Sequence, residues 1–301
     1  MKPPVFDYVR VETLDEALSV LEDVEQDVKV LAGGQSLVPM LNMRLTQPKT
    51  LLDVNGVPGL DVLEMRDDAE GTWLEVGALV RQRALERYAG KTLRARLLHA
   101  ALTHIGHPQT RNQGTVGGSL AHADPSAELP LVLTTLGGNV FLRSTRGERQ
   151  VPVEEFFQSF FTTALEPDEL LIKSTWRLPA PNAGLAFREF RRRHGDFALV
   201  ATACLLEVDS ERRVHKVRLG IGGVADKPLL VPEAEGLVGE QWTQARIRAL
   251  SEAIAARLNL EDDIQASAAY RSQLAAVALR QSLEAAYTDA LAKGDDTHAT
   301  N

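Results

Sequence analysis

The apolar positions of the chain change period several times, and each change marks an element. Leu14, Ala17, Leu18 and Leu21 repeat at three- and four-residue intervals and predict a helix over 13–25. Thr13, with Glu16 three residues on, gives it a capping-box start. Val28-Lys29-Val30-Leu31-Ala32 predicts a short buried strand ending at Gly33-Gly34. A short helix or turn over 37–45 closes before Pro48, and Leu51-Leu52-Asp53-Val54 predicts a second strand, stopped by Asn55-Gly56. Residues 73–78 read as a strand, and 81–104 carry helical patterning with Leu93, Leu97, Leu98 and Leu102 on one stripe. A glycine-rich connection covers 106–119, an apolar helix 129–136 and a strand 139–143, and a short helix starts at Val153.

The composition shifts at Pro179-Ala180-Pro181-Asn182, which predicts a domain boundary. Beyond it, residues 198–208 and 214–220 flank the polar turn Asp209-Ser210-Glu211-Arg212, the pattern of an antiparallel pair. Residues 243–258 and 267–292 are alanine- and leucine-rich helices. Gly294 is placed to end the second, with a frayed polar tail after it.

Composition narrows the class. A chain of 301 residues with 44% hydrophobic and 25% charged positions has ample apolar material for two or three domains. The formal net charge of −8 argues against nucleic acid as a partner. Arg188, Arg191, Arg192, Arg193 and His194 form one basic cluster, readable either as a solvated turn or as a contact for an anion or partner. Cys204 is the single cysteine, so the chain alone holds neither an intrachain disulfide nor an iron–sulfur cluster. It lies in the apolar run Ala203-Cys204-Leu205-Leu206, which predicts a buried, inert thiol. The N-terminus has no apolar signal region, and no apolar run approaches the ~20 residues of a membrane span. The expectation is a cytoplasmic protein without membrane insertion.

Two glycine-rich segments carry the chemistry. Ala32-Gly33-Gly34-Gln35-Ser36-Leu37 joins a predicted strand to a predicted helix. Its glycines permit positive φ and close approach of a ligand to the main chain, and successive amides there form an anion-binding nest. Gly114-Thr115-Val116-Gly117-Gly118-Ser119 repeats the combination of small residues and donors. Each alone also fits an ordinary tight turn; two in one chain suit a ligand with two phosphates. Neither is the Gly-x-Gly-x-x-Gly fingerprint or a P-loop. His122, Asp124 and Glu128 could suggest a metal, but no second His/Cys cluster lies nearby. Asp124-Pro125-Ser126 equally reads as a helix start, with Asp124 as cap and Pro125 at the first position. Glu128 offers a carboxylate suited to a ribose hydroxyl.

These residues carry a resemblance. Phe6-Asp7-Tyr8, the block 32–40 continuing to Asn42-Met43-Arg44-Leu45, the block 109–121 with Asp124-Pro125, Arg192–Ala198, and a late block around Asp263, Tyr270-Arg271 and Arg280 stand in the order seen in one family. The chain resembles the FAD-binding medium subunit of the molybdenum hydroxylases, the family of carbon monoxide dehydrogenase, xanthine dehydrogenase and the aldehyde and N-heteroaromatic oxidoreductases.

The resemblance implies an α+β, PCMH-type (vanillyl-alcohol-oxidase-like) FAD-binding fold. Two FAD-binding α/β subdomains, 1–55 and 56–178, precede a C-terminal domain of antiparallel sheet and helices over 179–292 and a tail over 293–301. It implies that Ala32, Gly33, Gly34, Gln35, Ser36 and Leu37, with Thr115, Val116, Gly117, Gly118 and Ser119, contact the FAD pyrophosphate. The acidic position on the adenosine side falls on Glu128, where relatives often have Asp, with Asp124 ahead of it. A basic position falls on Arg188, where some relatives have Lys; Ser119 stands where some branches have Asn. The implied role is electron transfer. A large partner subunit hydroxylates substrate at a molybdopterin centre, a small partner carries two [2Fe–2S] clusters, and this chain passes electrons through FAD to an external acceptor, within a dimer of heterotrimers. No residue here is then a catalytic acid or base. His104, His107 and His122 are either flavin neighbours or satisfied polar histidines. Other readings are a stand-alone FAD-dependent reductase of the wider fold, or a non-redox nucleotide-binding or assembly protein.

Overall fold

The computed structural model describes residues 2–298. The chain divides into two compact units, and elements are numbered along the chain. The first unit comprises Met1–Leu85, His107–His122 and Gly138–Arg177. β1 (Asp7–Arg10), β3 (Thr50–Asp53) and β2 (Val28–Leu31) form a parallel three-stranded sheet in that order. α1 (Leu14–Glu22) and α2 (Leu37–Asn42) belong to the same region. α1 forms as its sequence predicts: Thr13 Oγ1 accepts from Glu16 N, and Glu16 Oε2 accepts from Thr13 N. Its apolar face, Ala17, Leu18 and Leu21, packs on Leu52, Val54, Leu60 and Leu79.

A five-stranded sheet of order β4-β5-β10-β6-β7 builds the rest of this unit, from Leu63–Asp68, Gly71–Gly77, Leu170–Leu178, Gly138–Ser144 and Gly147–Pro152. Short helices α5 (Pro108–Gln113), α6 (Val116–His122) and α8 (Val153–Phe156) and the small hairpin β8-β9 (Phe157–Ser159, Thr162–Thr163) complete it. The connection 106–119, expected to be irregular, is therefore mostly two short helices. Pro108 begins the first, where its fixed φ and missing N–H are tolerated.

The helix expected over 81–104 is broken. α3 spans Gln82–Ala89, a 3-10 turn covers Leu93–Ala95, and α4 spans Arg96–Leu102. Gly90 and Thr92 end the first piece by bonding back, Gly90 N to Glu86 O and Thr92 Oγ1 to Tyr88 O. Leu93 consequently leaves the buried stripe and is 56% exposed.

The second unit comprises Glu86–Gly106, Ala123–Gly137 and Leu178–Asn301. Its antiparallel sheet runs β11 (Gly184–Phe190), β12 (Val200–Val208), β13 (Val214–Gly222), β14 (Leu229–Leu230). The expected hairpin about residues 209–212 is present, with Asp209 Oδ1 accepting from Glu211 N and Arg213 N. α9 (Gln244–Arg257) and α10 (Ala268–His298) supply Ile247, Ile254, Leu279 and Leu283 to a core with Val200, Cys204, Leu206 and Leu219. α7 (Glu128–Leu136) packs on β12 and β13, and α4 packs on α7 and β11. Cys204 is fully buried, and burial pushes its thiol up, so it is an inert core residue. α10 continues through Gly294, which was expected to end it. One interior glycine costs a helix only about 1 kcal/mol relative to alanine.

Among the described residues, no helix is long and apolar enough to cross a membrane.

Candidate functional site

In the first unit, β2 delivers Ala32 and Gly33 to the start of α2. Gly34 takes φ +69°, the left-handed conformation that glycine adopts at no steric cost. The turn's carbonyls are engaged in sequence. Ala32 O accepts from Asn55 Nδ2 at 2.9 Å, Gly33 O from Gln35 Nε2 at 3.3 Å, and Gly34 O from Val38 N at 3.0 Å. Since C=O and N–H of a trans peptide point opposite ways, the Gly33 N–H is aimed away from Asn55. Ser36 is already helical, at φ −98° and ψ −45°, and Leu37 opens α2. By helix geometry, the amides ahead of Val38 have no intrahelical acceptor.

The second segment is the start of a helix rather than a turn. Thr115 is buried, and its Oγ1 accepts from Gly118 N at 3.1 Å, so it caps α6. Val116, Gly117, Gly118 and Ser119 lie inside α6. Behind them runs the stretch 78–82: Gln82 N donates to Gly114 O at 2.8 Å, Val116 N to Val80 O at 2.9 Å and Gly117 N to Ala78 O at 2.9 Å.

The two segments touch through their backbones. A Cβ on Gly33 would stand 2.6 Å from Gln113 O, 2.8 Å from Gly114 Cα and 3.0 Å from Thr115 N. A Cβ on Gly117 would stand 2.6–2.8 Å from Ala78 atoms. Gly33 and Gly117 therefore serve close approach, and only Gly34 of this set uses positive φ. The two backbones are thus in contact, and the carbonyls of Ala32 and Gln113 are engaged by the Asn55 and Arg81 side chains.

Asp124, Glu128 and Arg188 belong to the second unit. Asp124 does not cap α7, as its sequence suggested. Its Oδ1 accepts from Ser126 N at 2.8 Å and its carbonyl from Ala127 N at 3.0 Å, so the chain completes an Asx turn before α7 begins. The cap position falls on Ala127, and Glu128 is the first helical residue. Burial, followed by the neighbouring Glu189 carboxylate, pushes the Glu128 carboxyl up to about 8. Sequence reasoning missed this neighbour. The Glu189 side chain is completely buried, and burial raises its carboxyl to about 7 against the opposing charge of Arg191. Arg191 Nη1 donates to Glu189 Oε1 at 3.0 Å and to His104 O at 2.7 Å.

Arg191 therefore leaves the basic cluster and turns inward, while Arg192, Arg193 and His194 are exposed. Arg188 sits on β11 one residue before Glu189, hence on the opposite face, exposed, with its Nη1 on its own neighbour's carbonyl, Phe187 O. The cluster around Glu128 thus does not include it.

The histidines separate too. His104 packs on Phe187 at 5.3 Å between ring centroids, the rings tilted by 53°, and burial, helped by Arg191, lowers it to about 4. Its Nδ1 faces Glu189 Oε2 at 3.7 Å, and neither atom has a hydrogen-bond partner among the described residues. An ion pair there would need a protonated imidazole, and at neutral pH His104 is neutral. His122 packs on Phe161 at 5.0 Å with the rings tilted by 39°, and His107 precedes α5, its carbonyl accepting from Arg111 N at 3.2 Å.

A pair of backbone-apposed glycine segments on a parallel α/β sheet, followed by an antiparallel sheet with helices, defines a dinucleotide-binding flavoprotein fold without the Rossmann fingerprint. Residues 4–179 match the FAD binding domain in molybdopterin dehydrogenase, and residues 185–286 the CO dehydrogenase flavoprotein C-terminal domain. The chain is 38% identical to the 6-hydroxypseudooxynicotine dehydrogenase complex subunit alpha of Paenarthrobacter nicotinovorans, over 91% of this chain and 92% of that one. Among solved structures it is similar to carbon monoxide dehydrogenase from Hydrogenophaga pseudoflava, with a TM-score of 0.89, 30% identity, and coverage of 96% of this chain and 99% of that one. It is equally similar to quinoline 2-oxidoreductase from Pseudomonas putida 86, with a TM-score of 0.89, 33% identity, and coverage of 96% and 99%. The chain belongs to the FAD-binding medium subunits of the molybdenum hydroxylases, and it is an oxidoreductase subunit with their PCMH-type fold.

Proposed function

We propose that this chain is the electron-transfer subunit of a heterotrimeric molybdenum hydroxylase. It accepts electrons from the [2Fe–2S] clusters of a small partner and passes them to an external acceptor in the cytoplasm. A large partner holds the molybdopterin cofactor and hydroxylates the substrate, and the assembly is a dimer of such heterotrimers. The observation that carries the reading is the contact of Gly33 with the backbone of Gln113, Gly114 and Thr115. It makes one phosphate cradle from two segments more than seventy residues apart.

In this account 1–55 and 56–178 bind the cofactor, and 179–292 completes the subunit. Ala32–Leu37 hold the pyrophosphate of FAD through backbone amides, and Thr115–Ser119, whose amides from Val116 to Ser119 are engaged within the protein, contact it from the other side. Glu128 takes a hydroxyl on the adenosine side, and Asp124 and Arg188 complete the set. Bound FAD supplies the redox chemistry, while the chain binds and orients it. No side chain of this subunit needs to move a proton for hydroxylation.

Purification of the assembled complex tests this. The expected result is three kinds of subunit, with flavin remaining on this one after the complex is separated. A chain that oxidises substrate alone would contradict the reading, and so would a complex whose flavin resides elsewhere.

A further inference from the structure

Between the two glycine segments lies a hydrogen-bonded chain that their own residues do not account for. Asn55 stands two residues beyond β3. Its Nδ2 donates to Ala32 O at 2.9 Å and to Asp53 Oδ1 at 2.6 Å, with Leu31 O further off at 3.4 Å. Its Oδ1 accepts from Arg81 Nη2 at 2.8 Å. Arg81 Nη1 in turn donates to Gln113 O at 2.5 Å. That carbonyl is the atom a Cβ on Gly33 would strike first. One path thus runs from the Ala32 carbonyl through an amide and a guanidinium to the Gln113 carbonyl.

The chemistry of each link is specific. An amide presents a donor and an acceptor in fixed positions, and here three oxygens surround the Nδ2 while a guanidinium faces the Oδ1. Only one orientation of the amide satisfies this set. Asp53 anchors it from behind, accepting also from Asn55 N at 2.9 Å and from Tyr8 Oη at 2.5 Å. Burial alone would raise the Asp53 carboxyl, but the hydrogen bonds from Tyr8 and Asn55 bring it below the usual range. It therefore remains an acceptor at neutral pH. Arg81 is fixed on its other side by its backbone, which bridges Thr115 and adjoins the 78–82 stretch behind α6. The planar fork of the guanidinium reaches both segments at once, which a single-point ammonium does less well.

We propose that Arg81, acting through Asn55, is a positioning pair that sets the spacing of the two glycine segments and so the affinity for a dinucleotide pyrophosphate. The pair turns the carbonyls of both segments toward itself and leaves the Gly33 amide facing the other way, where a phosphate can use it. This rests on the pyrophosphate assignment above.

The test is equilibrium binding of FAD to the full-length chain, read by flavin fluorescence, with ADP as a competing pyrophosphate probe. Arg81→Met and Asn55→Ala should each weaken FAD and ADP binding at least tenfold. The double variant should lose about as much as the worse single one, since both break the same path. Arg81→Lys should recover part of the loss. The melting temperature of the flavin-free variants should stay close to native, because Arg81 is only half-buried. FAD affinity within twofold of native in Arg81→Met and in a second variant, Arg81→Gln, would overturn the proposal. Losses that multiply in the double variant would overturn it too. If Gly33→Val also kept full affinity, the pyrophosphate assignment itself would fall; if Gly33→Val lost FAD while the Arg81 variants kept it, only the positioning role would.

Discussion

Glu128 opens α7 with a carboxyl that holds its proton to about pH 8 because it is buried beside Glu189. In the unfolded chain it would ionise near 4.5. The native state therefore binds more protons between about pH 4.5 and 8, and the stability this group contributes is full below that window and is lost as pH rises through it. Glu189, raised to about 7, acts in the same direction. His104, lowered to about 4, acts oppositely, costing stability as pH falls from 6.5 toward 4. Calorimetry of the flavin-free chain should show its melting temperature falling between pH 6.5 and 8, and Glu128→Gln should flatten much of that fall. An unchanged slope in the variant would contradict the burial account. At this scale the sequence announced the glycines, since runs of small residues and hydroxyls are visible without a fold. It did not announce Arg81, Asn55 or Glu189. Asn55 and Arg81 find partners 23 to 32 residues away, two of them main-chain carbonyls that carry no residue signature, and Glu189 meets Glu128 and His104 from 61 and 85 residues away. The sequence did not show which glycine serves which purpose, because close approach and positive φ select the same residue.

Elements were legible where local signals were strong. Thr13 and Glu16 marked α1, and the turn at 209–212 marked the β12–β13 hairpin. β4 was missed because it reads Leu-Glu-Met-Arg-Asp-Asp, a mostly exposed strand with only two apolar positions. α6 was read as a turn because its glycines are poor helix formers; its packing on Ala78 overrides that propensity. The same close packing recurs where α10 crosses β11. A Cβ on Gly184 would lie within 2 Å of Ala286 O, a main-chain atom of the helix. Neither backbone can yield cheaply, so Gly184→Ala should cost on the order of 3 kcal/mol or more. Denaturant unfolding would measure it, and a loss under about 0.5 kcal/mol would show that α10 is free to shift on the sheet.

For the whole molecule, the sequence signalled its family more clearly than its partition. Segments 86–106 and 123–137 join the C-terminal region in one unit, and 138–177 returns to the first. Apolar helices such as α4 and α7 look alike in sequence whichever core they enter. Family membership was legible because the motif blocks span the chain in order, and the matches over 4–179 and 185–286 agree with that. A ligand that binds only the folded chain must also stabilise it, by about 2.7 kcal/mol at a hundred times its dissociation constant. FAD should therefore raise the melting temperature, and AMP, which lacks the pyrophosphate, should raise it far less. The most direct measurement is a titration of the full-length chain with FAD, beside Gly33→Val. The native chain should saturate at one FAD per chain, and the variant should show no saturable binding. Absence of binding to the native chain, or equal binding to both, would contradict the pyrophosphate assignment.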